Sequence, residues 1–220
     1  MNKYYFFLIL MTAIVVAVLT SCEKEEMEAS VTISGTLEFS ERYNDEFTKV
    51  VIVVQEPMDM GGITVFNRNE LARGIYSNGS FSIELPARVD EKYLQSRFTE
   101  DIPPKFKVSD KKVKTGIFSI SISSFKDMED LPDIPGVGGG EIFKDYELIY
   151  AKSDDRSTVQ AMLYYADRKC SITGTLGNDV FSVNLKKGWN FLYETETELI
   201  NEYSTNPVSG LKWYVIYDFY

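Results

Sequence analysis

The residue types that could do chemistry in this chain are few, and the most versatile of them is missing. None of the 220 residues is a histidine. Ser-His-Asp and Cys-His nucleophile systems therefore have no imidazole base, and zinc sites built on imidazole ligands are excluded with them. Two cysteines, Cys22 and Cys170, are too few for a thiolate-rich metal site. Acid–base work is left to carboxylates, lysine and tyrosine. Asp and Glu together number 33, so candidate carboxylate pairs are plentiful, and abundance singles out none of them. The densest acidic group, Asp127, Glu129, Asp130 and Asp133, lacks the alternate-position ligands and central glycine of an EF-hand loop. A solvated acidic loop is expected there. The sequence implies no cofactor and no metal.

Cys22 has the most specific surroundings. Lys3 is the only charged residue before it, and Tyr4 to Val18 run almost wholly apolar. An apolar run of about 15 residues falls short of the roughly 20 that span a bilayer, and the acidic cluster behind it is a poor cytoplasmic anchor. Residues 1–21 read as a secretory signal peptide, with an uncleaved anchor as the alternative. The run ends in Leu19, Thr20, Ser21 and Cys22, which resembles the lipobox of bacterial lipoproteins. The resemblance implies that the Cys22 thiol is diacylglyceryl-modified, that Cys22 becomes the first residue of the mature chain, and that its new amino group is acylated. Each buried methylene contributes about 0.8 kcal/mol, and two or three acyl chains anchor stably where one holds only reversibly. The membrane is thus the first partner expected.

Residues 22–30 are polar, have no apolar period and read as a flexible tether. Within them Lys24, Glu25 and Glu26 resemble the export signal of surface lipoproteins in Bacteroidetes-type Gram-negative bacteria. That implies an outer-membrane anchor with the fold at the cell surface; a periplasm-facing lipoprotein is the alternative. With Cys22 alkylated, Cys170 has no disulfide partner and reads as a small buried hydrophobe. Arg168 and Lys169 beside it are the one hint of a reactive thiolate.

Without residues 1–21 the chain carries 22 basic against 33 acidic side chains. An acidic surface repels phosphate backbones, so nucleic acid is not an expected partner. The most basic stretch, Lys107 to Lys114, includes Asp110 and reads as a solvated strand face or turn.

From Val31 the dominant hydrophobic period is two. Val31, Ile33, Leu37 and Phe39 alternate with polar residues, as do Phe81, Ile83 and Leu85, and Phe118, Ile120 and Ile122. Val50 to Val54 are apolar on both faces, as in a central strand. Asn78-Gly79 marks a tight hairpin. Short helices are expected after Asp90, as N-cap with Leu94 and Phe98 on one face, and over Thr195 to Tyr203. Strands are expected at Tyr146 to Ala151, Val159 to Tyr165, Cys170 to Leu176, Val180 to Leu185, Trp189 to Glu194 and Leu211 to Phe219, joined by short connections as antiparallel neighbours. The fold class is all-β, with one or more antiparallel β-sandwiches and one or two short connecting helices. Residues 31–126 form a sandwich domain and 127–141 an acidic Pro/Gly loop. Residues 142–220 form an antiparallel meander, either a second domain or the second half of one sandwich. The strings at 31–37 and 170–176, VTISGTL and CSITGTL, resemble each other.

The first segment, with its Ile33-Ser34-Gly35-Thr36-Leu37 strand, valine-rich strand and SNGSFSIELP, resembles the transthyretin-like or carboxypeptidase-regulatory β-sandwich of cell-surface proteins. Val183 to Glu194, VNLKKGWNFLYE, is similar to a segment of uncharacterised lipoproteins of the same bacterial group. Neither resemblance implies a catalytic residue. The function expected is a lipid-anchored envelope module that binds a ligand or another envelope protein. If aromatic rings are exposed, a glycan is the natural ligand, and Trp189 and Trp213 are the candidates; both fall on strand alternations, where core packing competes. The alternatives are a glycan-processing hydrolase using two carboxylates and a structural subunit whose edge strand another chain completes.

Overall fold

The computed structural model describes residues 30–43, 47–59, 64–96, 98, 103–123, 145–154 and 156–216. Strands make up every extended element: β1 (Val31–Thr36), β2 (Lys49–Asp59), β3 (Thr64–Ser77), β4 (Ser80–Leu85), β5 (Gln95–Ser96), β6 (Phe106–Val108) and β7 (Lys114–Ser123) come first. They are followed by β8 (Asp145–Ser153), β9 (Ser157–Ala166), β10 (Cys170–Leu176), β11 (Asp179–Leu185), β12 (Gly188–Thr197), β13 (Asn201–Ser204) and β14 (Lys212–Val215). Two single 3-10 turns, Ser40–Arg42 and Glu91–Tyr93, are the helical pieces among the described residues.

The fold is all-β, and its strands share one hydrogen-bonded sheet in the order β1-β4-β3-β2-β7-β8-β9-β12-β13-β11-β10-β6, with β14 beside β8 and β5 beside β7. The sheet folds over on itself, so that β1 and β4 share one core with β9, β12 and β14. At one end it closes. Leu37 makes a parallel bridge to Trp213, and Glu38 N–H donates to the Trp213 carbonyl at 2.8 Å, joining the end of β1 to β14. Gly35 makes room for that closure: a Cβ there would overlap the Trp213 indole, which stacks on Tyr150 (4.6 Å between centroids) and meets the Phe81 edge at 5.1 Å.

Local chemistry explains the elements. Asn78 and Gly79 both take positive φ, 50° and 76°, as a two-residue turn matched to strand twist requires. Val50 to Val54 are all buried, because β2 lies between β3 and β7. The Asp90 carboxylate accepts from Lys92 N–H at 3.0 Å and caps the turn at Glu91–Tyr93. The expected two- to three-turn helix stops after that turn, because Gln95–Ser96 pairs with β7. Leu94 then joins the larger core and Phe98 packs on a smaller one.

Two further expectations are corrected. Thr195 to Tyr203 is not helical: β12 pairs with β9 along its whole length, Gly188↔Ala166 to Thr197↔Ser157, and carries Thr195 and Thr197 with it. Thr197 Oγ1 then organises the turn by accepting from Ile200 N–H and donating to the Ile200 carbonyl. The second half is also not a plain meander. β9 and β10, and β11 and β12, are joined by short turns without pairing, and β11 pairs in parallel with β13, Asp179↔Asn201 to Ser182↔Ser204.

The larger core mixes both halves of the chain, with Ile33, Ile52 and Phe118 beside Leu163, Trp189 and Trp213. The smaller core gathers Phe106, Tyr164, Cys170, Ile172, Val183 and Leu185 under β10 and β11. Strands β7, β8 and β9 each pair with the other two, so the sheet forks where β7 and β9 separate to admit β8.

Candidate functional site

Leu19, Thr20, Ser21, Cys22, Lys24, Glu25 and Glu26 lie outside the described residues, as do Asp127, Glu129, Asp130 and Asp133. Trp189 and Trp213 are 5% and 7% exposed. Trp189 sits between the edges of Phe118 and Tyr165, and its Nε1–H donates to the Pro86 carbonyl at 2.7 Å. Neither indole offers a ring face to solvent in the way a sugar platform requires. Cys170 is buried, with its Sγ–H toward the Asp110 carbonyl at 3.5 Å. Of Lys107 to Lys114, Lys107 lies on β6, and Asp110 turns the chain by accepting from Lys112 N–H at 2.9 Å.

The recesses of the described surface include three. One, of about 240 Å3, lies at the fork and is lined by Phe118, Leu148, Leu163 and Trp213 with a single carboxylate, Glu147, whose Oε1 accepts from Ser119 at 2.7 Å. The second, of about 350 Å3, has an apolar floor of Ile33, Leu85, Leu163, Trp189 and Phe191 and a rim of Asn184, Lys186, Thr205 and Pro207. The third, of about 290 Å3, is lined by Ser109, Lys169, Ser171, Asn184 and Lys186 over Cys170 and Leu185. Asn184 and Lys186 line both of the last two. The two recesses, one apolar and one cationic, adjoin at these shared residues and are taken together as a groove.

The groove is built by register and by one buried amide. β10 pairs with β11 from Cys170↔Leu185 to Leu176↔Asp179, which turns Cys170 and Leu185 inward and leaves Ser171 and Asn184 on the outer face. Lys169 and Lys186 follow that last pair on the two strands and reach the same recess. Beyond it Asn190 closes the Lys186–Gly188 turn. Its Oδ1 accepts from Lys186 N–H at 3.0 Å, and its Nδ2 donates to the carbonyls of Lys186 and Gly188 at 3.0 and 2.8 Å. A buried amide with its hydrogen bonds made fixes a turn firmly. Asn184 N–H donates to Thr205 Oγ1 at 2.9 Å and pins the chain that leads past Pro207.

Electrostatics distinguish the two lysines from their neighbours. Arg168 is held by Asp167 at 2.9 Å and Asp110 at 3.7 Å. Lys169 and Lys186 make no ion pair with any described residue. Like charges brought together repel unless an anion lies between them. At the far end of the same strands Glu194 is already engaged, accepting from Gln160 at 2.6 Å and from the Tyr203 hydroxyl at 2.7 Å. Burial and the Glu194 carboxylate push the Tyr203 phenol well above its ordinary value of 10.0. Tyr203 stacks on Phe181 at 4.8 Å, which makes this cluster structural.

No known protein family, curated protein or solved structure matches the chain. The groove residues escaped the sequence reading because Lys169 stood out only as a neighbour of Cys170, and Lys186 only as part of a short connection. The alternation of CSITGTL and VFSVNL does place Ser171 and Asn184 on a polar face. The arrival of Val31 and Thr205 beside them is a tertiary fact.

Proposed function

We propose that the chain is a lipid-anchored envelope protein, modified at Cys22 and held at the outer-membrane surface by residues 22–30, whose β-fold is a ligand-binding module. The observation that carries the binding reading is the groove, where an apolar recess adjoins, at Asn184 and Lys186, one lined by two lysines that make no ion pair with any described residue. Sites for small ligands combine such apolar walls with a few placed polar groups. Glu147 is the one carboxylate among the described residues lining these three recesses, so none of the three offers the facing pair that a two-carboxylate hydrolase needs. A structural role is favoured by a different feature. β2 pairs with β7 only through Val53 and β3 with β4 only from Ile75, so the paired stretch Val54–Asp59 with Thr64–Asn69 runs on without a further described strand beside it. Free edges of that kind accept a strand from another chain.

Cell fractionation tests the anchor. The native chain should partition with outer membranes and be cleaved by protease on intact cells. Cys22→Ala should be released or remain unprocessed, and unchanged partition of Cys22→Ala would defeat the lipid reading. Native mass spectrometry of the chain extracted from envelopes tests the module: a bound small molecule should be present, and lost in Asn184→Trp, which fills the groove. A chain without an adduct, or an adduct indifferent to Asn184→Trp, would overturn it.

A further inference from the structure

We infer that the groove takes a single-chain fatty carboxylate, its hydrocarbon in the apolar recess and its head against Lys169 and Lys186. This rests on the binding reading above and narrows it to one ligand class. The charge argument comes first. The chain is acidic overall, at −10, yet no carboxylate is among the described residues lining either recess, and two lysines that make no ion pair with any described residue line one of them. Ser171 and Asn184 add a hydroxyl and an amide around the same spot, while the Ser109 hydroxyl donates to Cys170 Sγ at 3.8 Å. An ammonium pair with neutral donors is complementary to a compact anion.

The apolar half selects what the anion is attached to. Its floor of Ile33, Leu85, Leu163, Trp189 and Phe191 offers hydrocarbon contact, and the one indole N–H there is already given to the Pro86 carbonyl. Trp189 and Tyr193 in that lining are 5% and 8% exposed, so a sugar would find no broad ring platform there. About 350 Å3 lies at the lower end of small-ligand sites and suits one chain rather than a two-chain lipid. Location agrees. Val31 lines the recess and directly follows the tether, and nine residues extend at most about 30 Å. With Cys22 lipidated as proposed above, the groove opens within about 30 Å of the bilayer from which such an amphiphile would come.

The test uses the full chain in zwitterionic nanodiscs and reads Trp189 fluorescence, the Trp189→Phe chain supplying the background from Trp213. A bromine atom quenches an indole on contact, so 12-bromododecanoate should quench Trp189 saturably. The quenching should weaken at least tenfold for 12-bromododecanol and at least tenfold in Lys169→Gln/Lys186→Gln, while Lys169→Arg/Lys186→Arg keeps it. Equal affinity for acid and alcohol, wild-type affinity in the Gln variant, displacement by acetate alone, or quenching that never saturates would each overturn the inference. If 12-bromododecanoate fails while the extracted chain still carries an adduct lost in Asn184→Trp, the ligand class falls and the module stands. If both fail, both fall.

Discussion

Replacing Gly35 with alanine should loosen the closure of the sheet, by an amount that can be worked out from its surroundings. The added methyl would overlap Cδ1 and Nε1 of Trp213 and sit 3.1 Å from Phe81 Cε1. The indole has little room to retreat, being stacked on Tyr150 on one side and set against Phe81 on the other. Overpacking of this kind costs about 1 to 3 kcal/mol. Alanine returns about 0.5 to 1 kcal/mol by restricting the unfolded backbone. If β14 shifts to relieve the overlap, the bond from Glu38 N–H to the Trp213 carbonyl is lost for about 1 kcal/mol more. The net loss should be near 2 kcal/mol, or a fall in Tm of roughly 4 to 8 °C for a chain of this size. Urea denaturation of Gly35→Ala, Trp213→Phe and the double variant forms a cycle in which the smaller ring relieves the methyl. A coupling of at least about 1 kcal/mol is expected. A Gly35→Ala chain within about 0.5 kcal/mol of the parent, or a cycle that sums additively, would refute the account of why glycine stands there.

Two further perturbations probe the groove end and the opposite end of the same strands. Asn190→Ala removes three hydrogen bonds and leaves the buried Gly188 carbonyl without its amide donor; a loss of about 1 to 3 kcal/mol in urea denaturation is expected, and an unchanged midpoint would show the turn holds without the amide. For Tyr203 the sign follows from its raised pKa: the folded state keeps the phenolic proton to higher pH than the unfolded chain does, so this contribution is intact below about pH 10 and is lost as pH rises through the folded value. Stability measured from pH 9 to 11.5 should therefore decline, and Tyr203→Phe should decline less steeply; parallel curves would remove Tyr203 from the explanation.

What the sequence made legible was local. The Asn78-Gly79 turn, the buried run at Val50 to Val54 and the cap at Asp90 depend on neighbouring residues, and each appears where pattern and turn chemistry place it. The errors fall where distant pairing decides. Thr195 to Tyr203 has local features of a helix, but ten paired residues between β12 and β9 outweigh them. Short connectors suggested neighbours, yet the turn between β9 and β10 carries the chain from the forked region to the smaller core, where β11 meets β13 in parallel. The groove shares this limit. Lys169 and Lys186 are brought together by the β10–β11 register, but Val31 and Thr205 are far from both in sequence and reach the site only through the folded sheet.

The likeness between residues 31–37 and 170–176 takes on geometric content once the partners are known. β1 pairs with β4 so that Val31, Ile33 and Gly35 face Leu85, Ile83 and Phe81. β10 pairs with β11 so that Cys170, Ile172 and Gly174 face Leu185, Val183 and Phe181. The partners match as well, as FSIEL and FSVNL, and in both pairs a phenylalanine lies opposite the glycine, covering backbone that has no side chain of its own. What passes over each glycine differs. At Gly35 it is the Trp213 ring, a side chain that can be trimmed; at Gly174, with φ at +121°, it is the Lys105 carbonyl, which cannot. The same two-stranded unit thus serves two purposes: at β1 it admits the indole that closes the sheet, and at β10 it admits the backbone leading into β6 and Ser109. Ser109 and Ser171 are linked side by side, the Ser171 N–H donating to Ser109 Oγ at 2.8 Å, so the second glycine helps to build the cationic half of the groove.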